Sequence, residues 1–388
     1  MNISIITFHF AYNYGAVLQA WALHHKLLND GHQVSIINYK PRYHTSRYSV
    51  HRSILQALQK GFNKKQTDSI SKRIICAIRA VGGTAIENVV DYRKRVSKKQ
   101  YFELFCHKNF NLTRKYNSIE ELKRNPPVCD VYIAGSDQIW NQKITNGRFD
   151  DAYFLSFGSQ KIKRLIYATS LGETTAQECC EYIKDNSICL DAISCREYDD
   201  AKEIAKNLEQ KCCCIPDPTL LLEADDYGLI EETIEETGGP YILVYILKKN
   251  PVLDKAIEYI HVNTEIKIID ISPNFSNING IIKKDNISPG QFLSYIKNAM
   301  CVITNSFHGT VFSILYQREF ICGAHQTRNS RIEYILKELS LDERMVFNLQ
   351  DFKDTVTKQI KYEDVLPKLN QLRKKGDEFL QENIKDFH

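Results

Sequence analysis

Short β-branched apolar runs alternate with stretches of helical periodicity along most of the chain. Runs at 4–8, 34–38, 131–134 and 165–169 predict strands in the first half, and runs at 241–247, 266–271, 301–304 and 319–322 predict strands in the second. Between them, 15–29 places Val17, Leu18, Trp21, Ala22, Leu27 and Leu28 at helical spacing, and Gly31 closes the helix. Helices are also predicted at 253–262, 289–299, 310–316 and 332–339. The segment 188–195 reads as helical or extended and delivers Arg196 and Glu197 at its end. Strand–helix alternation of this kind predicts an α/β protein, two Rossmann-like domains facing across a cleft. The first domain spans 1–222 and the second 239–388, with the acidic, loop-like stretch 223–239 as hinge. The rhythm breaks from about 40 to 125. There, 54–62, 70–81 and 89–106 look helical, with Lys and Arg between the apolar positions, a basic helical insertion into the first domain. The tail, 364–387, is a charged helix with Val365, Leu366, Leu369, Leu372, Phe379 and Leu380 on one side, suited to pack back across the domains.

Charge sharpens the picture of the insertion. The whole chain is at +4, but 40–115 holds 18 Lys and Arg against four Asp and Glu, a net of +14 that leaves −10 for the remainder. Such a region suits phosphates: an anionic membrane face, a lipid pyrophosphate or a nucleic acid. The plainer reading is a solvated helical face. No nucleic-acid-binding motif accompanies the charge, so nucleic acid is not an expected partner. The longest near-continuous apolar run, 241–247, is too short to cross a bilayer, and the N-terminus lacks a basic leader with a small-residue cleavage site. A cytoplasmic protein is expected. The twelve cysteines include three in a row, Cys212 to Cys214, and no Cys-x-x-Cys pair, so reduced, mostly buried thiols are expected and zinc is not.

Candidate chemistry sits where predicted strands end. After 301–304, Asn305 and Ser306 break the strand and Gly309 permits a sharp turn, which puts His308 between strand and helix, beside free backbone N–H groups. Such a place favours an anion, and an imidazole there can donate to it or move a proton near neutral pH. The competing reading is a histidine that serves its own turn. The first strand–helix loop, His9-Phe-Ala-Tyr-Asn-Tyr-Gly15, is no dinucleotide fingerprint, so no nicotinamide or flavin cofactor is expected. Asn13 reads as the helix cap and Gly15 as a point of close backbone approach to a ligand. Gly135-Ser-Asp-Gln-Ile-Trp-Asn141 offers Asp137, Gln138 and Trp140 to a sugar's hydroxyls and apolar face, unless Asp137 only holds its own turn. Arg196 can clamp an anion or merely pair with Glu197. Pro216 and Pro218 around Asp217 read as a stiff structural corner. Arg328 and Arg331 lie on the polar loop 325–331. Cations, an imidazole and a free carboxylate around a cleft suit an anionic substrate together with a hydroxylated one.

At this point the chain resembles the polysaccharide pyruvyl transferases. The likeness rests on Asn13-Tyr-Gly-Ala-Val-Leu-Gln19, Gly135-Ser-Asp-Gln-Ile-Trp-Asn141, Ser194-Cys-Arg-Glu197, Pro216-Asp-Pro-Thr-Leu-Leu-Leu222 and Thr304-Asn-Ser-Phe-His-Gly309, five motifs in order. It implies a GT-B-like fold and transfer of pyruvyl from phosphoenolpyruvate to two hydroxyls of a sugar in a capsular or exopolysaccharide precursor, giving a cyclic ketal. Phosphoenolpyruvate is then the donor substrate and no cofactor is needed. The resemblance maps the working histidine to His308 and a donor-site arginine to Arg196. Where many members carry Arg-Leu-His-Gly, this chain has Ser306-Phe-His-Gly309, and Arg328 or Arg331 are the replacements nearest in sequence. The expected assignment is His308 and Asp137 in catalysis. Arg196, Ser306, Gly309, Arg328 and Arg331 would hold the donor, and Asn13, Gly15, Gln138 and Trp140 the acceptor. A polyprenyl-pyrophosphate-linked acceptor would bring the protein to the inner face of the plasma membrane, with the basic insertion toward anionic lipid. The alternatives are a GT-B glycosyltransferase that uses a nucleotide sugar, and a sugar- or nucleic-acid-binding module.

Overall fold

A computed structural model of the chain describes residues 1–45, 58, 74–83, 92–235, 238–273, 278–324 and 330–385. The helical expectation for 54–62, parts of 70–81 and 89–106, and Arg328 fall outside the described residues.

Two six-stranded parallel sheets carry the fold. The first joins β1 (Asn2–Ile6), β2 (Gln33–Ile36), β3 (Val131–Asp137), β4 (Lys163–Thr169), β5 (Ala192–Cys195) and β6 (Cys212–Cys214) in the order β2-β1-β3-β4-β5-β6. The second joins β7 (Tyr241–Tyr245), β8 (Lys267–Asp270), β9 (Ile282–Lys283), β10 (Cys301–Thr304), β11 (Glu319–Gly323) and β12 (Met345–Val346) in the order β12-β11-β10-β7-β8-β9. Each sheet reverses its winding once: between β1 and β3 in the first, between β7 and β10 in the second. Loops that leave the strand ends at such reversals diverge and open a crevice. The architecture is therefore α/β, two Rossmann-like units in a GT-B-like arrangement.

The strands are continuously apolar because helices cover both faces. Ile3, Ile5, Ile133, Leu165, Leu243 and Val302 are all buried. Helix α1 (Tyr14–Asn29) is buried along most of its length and lies between the two units. Its Tyr14 stacks on Phe292 at 4.5 Å and donates to the Ile287 carbonyl at 3.2 Å, both on the second unit. Within the basic insertion, helix α2 (Tyr92–Asn109) buries Phe102, Phe105 and Cys106. The final helix, Tyr362–Ile384, begins on the second unit, where the Tyr362 hydroxyl donates to the Arg318 carbonyl at 2.6 Å. It ends on the first, where Asp377 meets Lys26 at 3.2 Å and Phe379 packs on Tyr167. All twelve cysteines are unpaired thiols. No described helix is long and apolar enough to cross a membrane.

Candidate active site

A cleft of about 740 Å³ lies between the two sets of strand ends, within the size range of small-molecule sites. From the first sheet it is lined by Asn13 after β1, Asp137 and Gln138 at the end of β3, Ser170 and Gly172 after β4, and Glu197 after β5. From the second come Lys248 after β7, Asn305 to His308 after β10, and Arg331. Both winding reversals thus feed one cleft.

His308 lies in the first turn of helix α3 (Phe307–Leu315), one turn earlier than the apolar pattern suggested. The helix starts early because Ser306 caps it, its hydroxyl accepting from Gly309 N at 3.3 Å. Gly309 N–H is spent on that cap and does not face a ligand. Gly309 is glycine for packing: a Cβ there would stand 2.5 Å from Thr304 Oγ1. Gly15, expected to face an acceptor, lies instead against the catalytic candidate. A Cβ on it would stand 2.0 Å from His308 Nδ1, so the start of α1 seats the imidazole of the opposite unit.

Behind His308 lies Asp217, read from sequence as a structural corner. It is that, since Oδ1 accepts from Thr219 N at 3.0 Å and Thr219 Oγ1 at 2.7 Å. It is also the charge centre of the site. Its buried carboxylate places Oδ2 2.8 Å from Arg196 Nη1 and 3.8 Å from His308 Nε2. Burial would raise its pKa, but Arg196, His308 and Thr219 outweigh burial and hold it well below the ordinary carboxylate range. No signal in the local sequence identifies this role, because His308 lies 91 positions away.

Arg196 is 4 % exposed and does not line the cleft. Besides Asp217 it reaches Asp137 Oδ1 at 3.5 Å, and the Phe307 ring, 5.4 Å from its guanidinium carbon, lies beside it. Its Nη1, close as it is to Asp217, is not aligned for a hydrogen bond, and its Nε has no partner among the described residues. Asp137 adopts φ 72° and turns Oδ1 onto Gln138 N at 2.8 Å, so it does hold its own turn while lining the cleft.

Trp140 does not meet a sugar. It is fully buried, stacked on Phe154 at 4.8 Å, with Nε1 donating to the Tyr153 carbonyl at 3.1 Å. An indole this far inside the domain is core, and the apolar wall expected of it is absent from that position. Asn13 both caps α1, accepting from Ala16 N at 3.2 Å, and lines the cleft. Gln138 also lines it, and its amide oxygen, turned toward Arg331, accepts from Nη1 at 3.0 Å and Nη2 at 2.9 Å.

Lys248 and Glu197 are among the cleft residues that were not singled out from sequence. Lys248 is exposed, and its carbonyl is held by Asn305 Nδ2 at 2.6 Å. Among the described residues its ammonium forms no ion pair. Glu197, considered from sequence only as a possible surface partner of Arg196, is 8 % exposed and turned inward, with Oε1 accepting from Ser170 Oγ at 2.9 Å. Burial raises its pKa, against the pull of Arg196, Arg331 and Ser170. A lone acidic residue after an apolar strand could have been flagged as cleft-facing, but nothing local distinguishes it from a helix cap.

A family model described as polysaccharide pyruvyl transferase matches residues 13–326. No curated protein matches the chain. Among solved structures, UDP-GlcNAc 2-epimerase from Neisseria meningitidis, bound to UDP-GlcNAc, aligns over 100 % of both chains at 9 % identity and a TM-score of 0.50. Another UDP-N-acetylglucosamine 2-epimerase aligns over 98 % of this chain and 95 % of its own, at 9 % identity and a TM-score of 0.51. Likeness at these identities speaks for the fold alone.

Proposed function

The chain belongs to the polysaccharide pyruvyl transferase family, and from that premise we propose that its cleft moves the pyruvyl group of phosphoenolpyruvate onto two hydroxyls of one sugar, forming a cyclic ketal and releasing phosphate. The observation that carries this reading is the placement of His308, braced by Gly15 and Asp217, between cationic groups of one unit and the Asp137 carboxylate of the other. The donor bears a carboxylate and a phosphate. Arg331 and the unpaired Lys248 offer two cations on one wall, and they supply the positive charge that Ser306, now a helix cap, does not. Arg196 acts from behind, fixing Asp217 and Asp137. The donor's C2 becomes electron-poor once C3 is protonated. Asp137 then takes the proton of the first acceptor hydroxyl as it adds to C2, and His308 gives a proton to the departing phosphate. Gln138 and Asn13 are placed to hold the acceptor.

The acceptor is proposed to be a glycan precursor on a polyprenyl pyrophosphate. The support is the concentrated positive charge of 40–115. Thermal-shift titration tests the donor. Saturable stabilisation by phosphoenolpyruvate, reduced at least tenfold in apparent affinity by Lys248→Met or Arg331→Met, is the expected result. Stabilisation by a nucleoside diphosphate and none by phosphoenolpyruvate would replace this reading with a nucleotide-sugar glycosyltransferase.

A further inference from the structure

Ketal formation needs two protons delivered, one to C3 of the enolpyruvyl group and one to phosphate. It needs two removed from the attacking hydroxyls. His308 and Asp137 account for one of each. The cleft holds a third group fit for proton transfer. Glu197 lines it from the end of β5, just before helix Tyr198–Leu208. Its Oε1 is held by Ser170, and Arg331 Nε approaches from the opposite unit at 4.0 Å. Its Oε2 is enclosed and has no hydrogen-bond partner among the described residues. A buried carboxyl oxygen without a partner is costly unless it carries a proton or serves a ligand. A reacting carbon, unlike a hydroxyl or phosphate, brings no hydrogen-bonding atom, so a group that serves carbon needs no fixed polar partner.

We propose that Glu197, as the carboxylic acid, delivers the proton to C3 of the enolpyruvyl donor; the proposal rests on the donor reading given above. The Glu197 O–H bond breaks, and the C2–C3 π pair forms the new C3–H bond. The resulting cation at C2 is shared with the bridging phosphate oxygen. The first hydroxyl adds to C2 and loses its proton to Asp137. The C2–O bond to phosphate then breaks, its electron pair leaves with phosphate, and phosphate takes a proton from His308. The second hydroxyl closes the ring and returns its proton to Glu197, while Asp137 gives its proton back to His308 through solvent. The two hydroxyl protons are thereby accounted for in the methyl group and the phosphate. Burial, which raises the Glu197 pKa despite Arg196, Arg331 and Ser170, favours the protonated acid that the step requires.

The test is proton magnetic resonance of phosphoenolpyruvate in heavy water with the full chain and methyl β-galactoside as stand-in acceptor. Wild-type protein is expected to place deuterium at C3. Glu197→Gln should slow that incorporation by ~10²–10⁴-fold while thermal stabilisation by phosphoenolpyruvate stays within twofold of wild type. Ser170→Ala is the second variant. It removes a bond that favours the carboxylate, so the pH above which incorporation declines should rise. Incorporation at the wild-type rate in Glu197→Gln, or an unmoved pH profile in Ser170→Ala, overturns the role of Glu197 alone. Donor binding without any incorporation by wild type overturns it as well. Absence of both binding and incorporation in wild type defeats the donor reading itself.

Discussion

At the scale of single residues, the centre of gravity is Asp217. One buried carboxylate serves a turn, an arginine and the His308 imidazole, and it does so where water cannot replace any partner. Asp217→Asn should therefore cost ~3–5 kcal/mol of stability, the usual result of breaking a buried ion pair from one side, since Arg196 keeps only its longer contact with Asp137. Urea unfolding measures it, and a loss under 1 kcal/mol would mean that Arg196 finds another partner. The sequence disclosed this site unevenly. His308, Asp137, Gln138 and Asn13 were legible because each follows a strong apolar strand, where function collects in parallel sheets. Trp140 misled because a tryptophan beside polar residues looks the same whether its ring faces solvent or Phe154. Gly15 was read as letting the backbone approach a ligand, whereas the group it makes room for is His308, from the other half of the chain. Asp217, Glu197 and Lys248 acquire their roles from partners distant in sequence, and no local pattern announces them.

Among the elements, β1 and α1 deserve the closest comparison with their sequence. The strand period and the helical spacing place both to within two residues, since a parallel strand and a central helix are apolar for the same reason and differ in period. Less visible was the start of α3. A serine cap extends the helix back to Phe307, and only the capped geometry shows that His308 is a helical residue. The buried elements also set the acid response. His9, in the loop after β1, and His24, on α1, are both held down to about 4, chiefly by burial. In the unfolded chain each takes its proton near pH ~6.5, and in the folded chain only near 4. The unfolded state therefore binds more protons in that window, and stability falls as pH drops from about 6.5 to 4, by an order of ~3 kcal/mol for each histidine. The depressed Asp217 acts later: its contribution begins to fall as the pH reaches the ordinary carboxylate range and is lost progressively below it. Unfolding midpoints at pH 7, 5.5 and 4 check the sign. His24→Gln should flatten the slope, and an unchanged slope would assign the acid loss elsewhere.

For the whole molecule, the alternation of strands and helices made the α/β class and its two sheets readable, because parallel strands separated by helices have few other ways to bury themselves. Strand order was not readable. Nothing in the individual runs says that the second sheet reverses between β7 and β10. Charge distribution is the other whole-molecule property, and it yields its own prediction. The +14 of 40–115 should draw the protein to anionic lipid at low salt. Sedimentation with vesicles containing about a third phosphatidylglycerol should capture it at 50 mM salt and release it at 500 mM. Equal capture by neutral vesicles would remove electrostatics from the explanation. Exposed Ile74, Ile75 and Ile78 lie within this same stretch.

The seating of His308 against Gly15 has a consequence for modularity. A two-unit fold invites the idea that one half can be exchanged for a relative's while the other keeps its chemistry. Here the imidazole belongs to one half, and the surface that receives it, Gly15 and Asp217, belongs to the other. A chimera joined near residue 230 would inherit a histidine shaped for a different socket. The unit that can be transplanted is the seam, with α1, the Asp217 corner and α3 taken together from one parent.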